Sequence, residues 1–214
     1  MKLLFFVLYL IAGAGNVIFC ALGRQIPRKI LKVFLMPLLT IAYWQLTAAP
    51  DWCVLAALAL GWLGDIALLW PNNTALRLAG VGCFAVGHVF YLLALGGRFV
   101  PLSVVRICAV SMLLLVAAAF VFSRLLRVMD REMKVPGAFY FLLLTALVAF
   151  SALLALGGVS GGRLQLAGAL LFFCSDTILC YQFFTVGDPA PRFDVLVMNT
   201  YILAQLALVL GFCL

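Results

Sequence analysis

The chain has 214 residues, of which 67% are hydrophobic and 10% are charged, and its mean hydropathy is +1.25. A soluble domain carries about 25% charged residues, so a water-soluble enzyme is excluded, and the high hydrophobicity excludes a disordered chain. The net charge of +7 is not gathered on a soluble module, which argues against nucleic-acid binding and leaves a polytopic membrane protein.

Eight continuously apolar segments follow one another along the chain, separated by charged residues, proline and glycine. A transmembrane helix needs about 20 apolar residues, and continuous apolarity favours helices over the alternating strands of a membrane barrel. The first segment is longer than the core of a signal peptide, so we expect an uncleaved span. The sequence predicts an all-α fold, a single membrane domain over 1–214 with about eight transmembrane helices at 3–23, 30–49, 52–70, 75–96, 101–123, 135–157, 163–185 and 193–213.

Positive charges are distributed unevenly between alternate connections. Lysine and arginine collect on the cytoplasmic side of membrane proteins, and they also attract anionic membrane lipids. The odd-numbered connections and their flanking turns hold Arg24, Arg28, Lys29, Lys32, Arg77, Arg124, Arg127, Arg131, Lys134 and Arg192, whereas the other side holds Lys2, Arg98, Arg106 and Arg163. This predicts an integral multi-pass protein, of the inner membrane in a bacterial host, with both termini on the non-cytoplasmic side.

Two carboxylates lie deep within apolar segments. Asp65 is in the third segment and Asp176 in the seventh, and a charge at the bilayer centre costs about 2.5–3.5 kcal/mol. Both segments are predicted to enter from the non-cytoplasmic side, so the two acids can meet across the bundle at similar depth. Burial and a neighbouring carboxylate both favour the neutral form of one acid, which splits the pair into an acid and a base. Interhelical hydrogen bonding is the structural alternative.

Further polar side chains lie within the spans. His88 is the only histidine, and it shares a helical face with Tyr91 at i, i+3. We predict that it hydrogen-bonds to an acid or a substrate, a satisfied core histidine being the alternative. Lys32 lies just inside the second segment, where it can snorkel to the headgroups or bind a lipid phosphate. Asn199 and Tyr201 add polar groups to the eighth segment, with Asn199 near the depth of the acids.

Seven cysteines and one histidine are too widely dispersed to predict a metal site. The cysteines lie within or at the ends of apolar segments, and no CxxC or HExxH spacing occurs. We therefore expect buried free thiols and no bound metal.

These motifs, in this order, resemble the YhhN family of integral membrane proteins, and the resemblance covers nearly the whole chain. It rests on Lys32 and Pro37, on Leu63-Gly64-Asp65, on Gly87-His88-Val89-Phe90-Tyr91, on Ser175-Asp176-Thr177-Ile178-Leu179, and on Asn199 with Tyr201. Characterised members are lysoplasmalogenases, so the resemblance implies hydrolysis of the vinyl ether bond of lysoplasmenylethanolamine or lysoplasmenylcholine. The products would be a fatty aldehyde and the glycerophospho-headgroup.

The resemblance also implies roles for the polar residues. Asp65 and Asp176 would be the catalytic acid–base pair, working as the two carboxylates of glycosidases do, and no cofactor would be required. The expected ligands are a lysophospholipid substrate and membrane lipids. The candidate substrate-binding residues are His88, Tyr91, Asn199, Tyr201 and Lys32, the last of these for the phosphate.

Three other classes of function remain open at this stage. The same acid pair could serve a hydrolase of another lysolipid. It could instead relay protons or cations in a transporter. A non-catalytic lipid-binding or scaffold protein would need neither acid.

Overall fold

The computed structural model describes residues 3–70, 73–185 and 191–214. Within these ranges the chain forms eight α-helices and no strand, which confirms the predicted fold class. Lys2, counted in the orientation prediction, lies outside the described residues. The helices are α1 (Leu4–Ala21), α2 (Gln25–Leu46), α3 (Trp52–Ala67), α4 (Thr74–Gly96), α5 (Val104–Leu125), α6 (Arg131–Leu156), α7 (Gly162–Thr185) and α8 (Pro191–Cys213).

Seven of these helices are long and apolar enough to cross a membrane, and the chain is an integral multi-pass membrane protein. The exception by length is α3, which is apolar but has 16 residues. Its N-terminus is capped by Asp51, whose side chain accepts a hydrogen bond from the Cys53 backbone nitrogen at 2.7 Å. It ends at Ala67, three residues before the expected limit.

Two helices begin earlier than their apolar segments predict. α2 begins at Gln25 rather than near residue 30, and α6 begins at Arg131 rather than near residue 135. Lysine and arginine lower the hydropathy of these turns, but they are good helix formers. Consequently Arg28 and Lys32 lie one turn apart on the same face of α2.

Six helices surround a central space. In order around it stand α2, α3, α4, α6, α7 and α8, and α8 returns to contact α2. α1 packs outside this ring against α2 and α8, and α5 packs outside against α6. Leu125 is the one buried residue of α5, so nearly all of that helix is left to face lipid.

Glycines bring the helices close along two seams. A Cβ atom at Gly64 would lie 2.7 Å from the Phe84 ring, and one at Gly80 would lie 2.9 Å from the Leu68 side chain, so α3 and α4 nearly touch. A Cβ at Gly168 would lie 2.7 Å from a backbone nitrogen of α8. Small residues permit such approaches between membrane helices. Each seam includes a helix that carries one intramembrane acid, Asp65 on α3 and Asp176 on α7.

All seven cysteines are free thiols, as expected, but the prediction that they are buried is wrong for most of them. Only Cys20 is buried, and Cys108 and Cys174 are exposed. In an integral membrane protein, an exposed position on an apolar helix face meets lipid rather than water. A weakly polar thiol is tolerated there as well as in the core.

Candidate active site

A cavity of about 80 Å³ lies inside the ring, and all six central helices contribute to its wall. Its lining residues come from the N-terminal halves of α2, α4, α6 and α8, from the C-terminal ends of α3 and α7, and from Met129 in the connection between α5 and α6. The cavity therefore occupies one half of the bundle. One water molecule needs about 10–15 Å³ of such internal space, so the cavity has room for several water molecules. Its wall is mostly apolar, and its polar lining residues are Lys32, Asp65, Tyr140, Ser175, Asp176 and Tyr201.

Asp65 is held by two partners from other helices. The Lys32 ammonium nitrogen of α2 lies 3.2 Å from Oδ1 of Asp65. The Tyr201 hydroxyl of α8 donates a hydrogen bond to Oδ2 at 2.6 Å. Asp65 is only 2% exposed, and an unpaired carboxylate at such a position would be strongly unfavourable. The cation and the phenol together stabilise the charged form of this acid.

Asp176 has a different environment. The Tyr140 hydroxyl of α6 donates a hydrogen bond to its Oδ2 atom. No lysine or arginine of the described chain forms an ion pair with Asp176. The two acids therefore line one cavity from α3 and α7, but of the two only Asp65 forms an ion pair in the described structure.

His88 lies behind the cavity wall rather than on it. Its Nδ1 atom is 2.6 Å from the carbonyl oxygen of Phe84. A carbonyl can only accept, so Nδ1 carries the proton and Nε2 keeps its lone pair. The ring packs edge-on against Phe172 and Tyr140, with centroid distances of 4.7 and 5.4 Å. His88 therefore supports the ring of the tyrosine that contacts Asp176.

The structure does not bring Tyr91 or Asn199 to the cavity. The buried Tyr91 hydroxyl donates to Oε1 of Gln205 at 2.8 Å, deeper in the bundle. Asn199 is exposed on α8. Because successive helical residues are about 100° apart, a residue two positions before Tyr201 points to nearly the opposite side of the helix.

Tyr140 is the cavity residue that the sequence analysis missed. It lies in an apolar segment without an acid or a histidine, and a lone aromatic residue there resembles a lipid-facing one. A buried tyrosine hydroxyl nevertheless requires a hydrogen-bond partner. That requirement is the signal by which Tyr140 could have been connected to an intramembrane acid.

A second polar cluster lies at the same end of the bundle. Arg28 of α2 forms an ion pair with Asp194 of α8. Nε2 of Gln182, in α7, donates to the other carboxylate oxygen at 3.0 Å. Asp194 lies in the first turn of α8 and is 8% exposed. This cluster ties three helices together next to the cavity, and none of its members lines it.

Comparisons with known proteins identify related sequences. A model of the YhhN family matches residues 28–212, a range that contains every polar residue lining the cavity. The chain is 34% identical to the lysoplasmalogenase TMEM86B of Homo sapiens over 155 residues, which cover 72% of this chain and 61% of that protein. Its identity to the Mus musculus protein of the same name is 30% over 179 residues, covering 82% and 71%. The match thus spans about three fifths of the human relative, and no solved structure shows significant similarity.

Proposed function

The chain belongs to the YhhN family, and on that premise we propose that it is a lysoplasmalogenase, a membrane-embedded hydrolase of the vinyl ether bond of lysoplasmalogens. The named relatives support the reaction class. The observation that supports the mechanism is the pair of differently compensated carboxyl groups in one mostly apolar cavity. The overall reaction consumes one water molecule and yields a fatty aldehyde and glycerophosphoethanolamine or glycerophosphocholine.

The first step is proton transfer to carbon. An acid donates a proton to the β-carbon of the vinyl ether, and the electron pair of the double bond forms the new C–H bond, which leaves an oxocarbenium ion. We assign this proton to Asp176, because it forms no ion pair within the described structure, whereas the ion pair of Asp65 with Lys32 favours ionisation of that acid. The hydroxyl of Tyr140 fixes the orientation of the carboxyl group.

The second step is water addition. The carboxylate of Asp65, held by Lys32 and Tyr201, stabilises the cation and accepts a proton as water attacks the α-carbon. The protonated Asp65 then gives its proton to the glycerol oxygen as the bond between that oxygen and the hemiacetal carbon breaks. The Asp176 carboxylate takes the proton of the hemiacetal hydroxyl, so the aldehyde is released and both acids regain their starting states. In this scheme Lys32 is a positioning residue for Asp65 rather than a phosphate ligand.

The test measures aldehyde release from a lysoplasmenyl lipid by the purified protein in detergent. Asp65→Asn and Asp176→Asn are each expected to reduce kcat by about 100-fold or more, the scale of general acid–base catalysis. Asp51→Asn is the matched control, because it makes the same chemical change outside the cavity and asparagine also caps a helix.

The ester-linked lysolipid is the control substrate. We expect no product from it, since an ester has no vinyl carbon to protonate. Full activity in either cavity variant would contradict the paired-acid mechanism. Hydrolysis of the ester alone would point to a different lysolipid hydrolase.

A further inference from the structure

Two of the cations near the cavity are neutralised within the protein. Lys32 lies 3.2 Å from Asp65. Arg28, one turn closer to the helix end, forms an ion pair with Asp194. Neither has a free charge to offer an anionic ligand without giving up a buried partner, and breaking such a pair is costly.

Arg77 differs from both of these cations. It lies on α4, and Val81 and Phe84, four and seven residues farther on, line the cavity. These spacings place all three residues on one helical face. Arg77 is only partly exposed, and it forms no ion pair with any carboxylate of the described chain.

The guanidinium of Arg77 is also incompletely hydrogen-bonded. Its Nη2 donates to the hydroxyl of Thr74 at 3.2 Å. Its Nε is buried and has no hydrogen-bond partner among the described residues. A buried donor without a partner is unfavourable, and a bound anion would remove that cost. Arginine also presents its donors in a fork that matches the oxygens of a phosphate.

The depth of Arg77 suits a lysophospholipid. A Cβ at Gly80 would lie 3.4 Å from the carbonyl oxygen of Gly64, the residue before Asp65, so Gly80 stands near the level of that acid. Arg77 is three residues closer to the end of α4, roughly 5 Å farther out at 1.5 Å per residue. In the substrate, the glycerol unit separates the vinyl ether from the phosphate in the same sense.

We propose that Arg77 binds the phosphodiester of the lysophospholipid headgroup and so selects phospholipids over neutral ether lipids. This assignment rests on the proposed function, and it gives to Arg77 the phosphate-binding role for which Lys32 was one candidate in the sequence analysis. The vinyl ether then lies at the level of the two acids, and the headgroup points to the end of the bundle with the positively charged connections.

The experiment measures binding of two uncleavable probes to the purified protein in phospholipid-free detergent. One probe is a saturated 1-O-alkyl-lysophosphocholine, and the other is the 1-O-alkylglycerol of the same chain length. The wild type is expected to bind the first probe about tenfold more tightly or better, the scale of a charge-assisted contact. Arg77→Gln should remove this preference, and Arg77→Lys should retain part of it.

Arg127→Gln is the matched control, because it removes an exposed positive charge that we predict on the same side of the membrane. The control should keep the preference. If Arg77→Gln also keeps it, or weakens both probes equally, the proposal is overturned. It is overturned as well if an excess of diacyl phosphatidylcholine abolishes the Arg77-dependent preference, since bulk lipid would then be the ligand.

The aldehyde assay on the same proteins separates the two proposals. A wild type that binds the phospholipid probe through Arg77 but releases no aldehyde would refute the hydrolase and keep the phosphate site. If the wild type and Arg77→Gln release aldehyde at the same rate at substrate concentrations below KM, the phosphate site alone is refuted.

Discussion

Lys32 holds the charge of an acid that would otherwise be buried alone. Removing one member of a buried ion pair costs about 3–5 kcal/mol, because the remaining charge is uncompensated. Lys32→Met should therefore lower the thermal unfolding midpoint in detergent. It should also lower kcat for aldehyde release by about tenfold or more, because the carboxylate that serves as the base is no longer held in place by Lys32.

A double variant separates the effect on charge from the effect on packing. Adding Asp65→Asn to Lys32→Met removes the uncompensated carboxylate, so we expect recovery of part of the lost stability without any recovery of activity. The coupling between the two sites should be about 1–3 kcal/mol, the upper range for residues in contact. Additive losses of stability would show that Lys32 acts only through packing.

Part of the site can be predicted from the sequence, because polar groups are energetically unfavourable in lipid. Acids deep in apolar segments must have partners, and Asp65, Asp176, Lys32 and Tyr201 do line one cavity. The specific pairing could not be predicted, since it depends on which helices are neighbours. Asn199 shows the same limit, because its helix face is fixed by packing that a list of polar positions does not contain.

The close seam between α7 and α8 joins the helix of Asp176 to the helix of Tyr201. Gly168 stands at this seam, and an added methyl group would meet backbone atoms of α8 at 2.7 and 2.8 Å. A backbone cannot move aside as a side chain can, so the helices must separate. Gly168→Ala should cost about 1–3 kcal/mol of stability, as overpacking does, and should reduce kcat. Thermal unfolding and aldehyde release measure the two effects.

Gly82 provides the control for this substitution. It lies in α4, and a Cβ at this position would have no atom within 4 Å. Gly82→Ala should leave activity unchanged and should stabilise the protein slightly, because alanine is favoured over glycine by about 1 kcal/mol in a helix. Equal behaviour of the two variants would mean that the α7–α8 seam does not control the site.

Existence and order of the helices follow from the sequence, but their ends do not. An apolar segment indicates the part of a helix that contacts lipid. The helix itself continues as far as its backbone hydrogen bonds do. α2 and α6 continue through charged turns, and α3 stops early. The extension of α2 matters for the site, since it places Arg28 and Lys32 on one helical face.

At the scale of the whole molecule, the cavity and most of the positive charges lie at the same end of the bundle. The cavity and its polar lining residues lie in the half of the bundle that contains the N-terminal ends of α2, α4, α6 and α8. The connections that carry most lysine and arginine residues lie at that same end. The phosphate of a lysophospholipid would therefore meet attractive charge before the tail reaches the apolar wall.

This arrangement gives a prediction for membrane sidedness. Because lysine and arginine collect on the cytoplasmic side, the site should face the cytoplasmic leaflet and the C-terminus should lie outside. In a cysteine-free background expressed in bacteria, an impermeant maleimide should label Leu214→Cys in intact cells. It should label Arg127→Cys only after lysis, although both positions are exposed. The reverse labelling pattern would place the site at the outer leaflet, and the substrate would then have to reach it from the opposite side of the membrane.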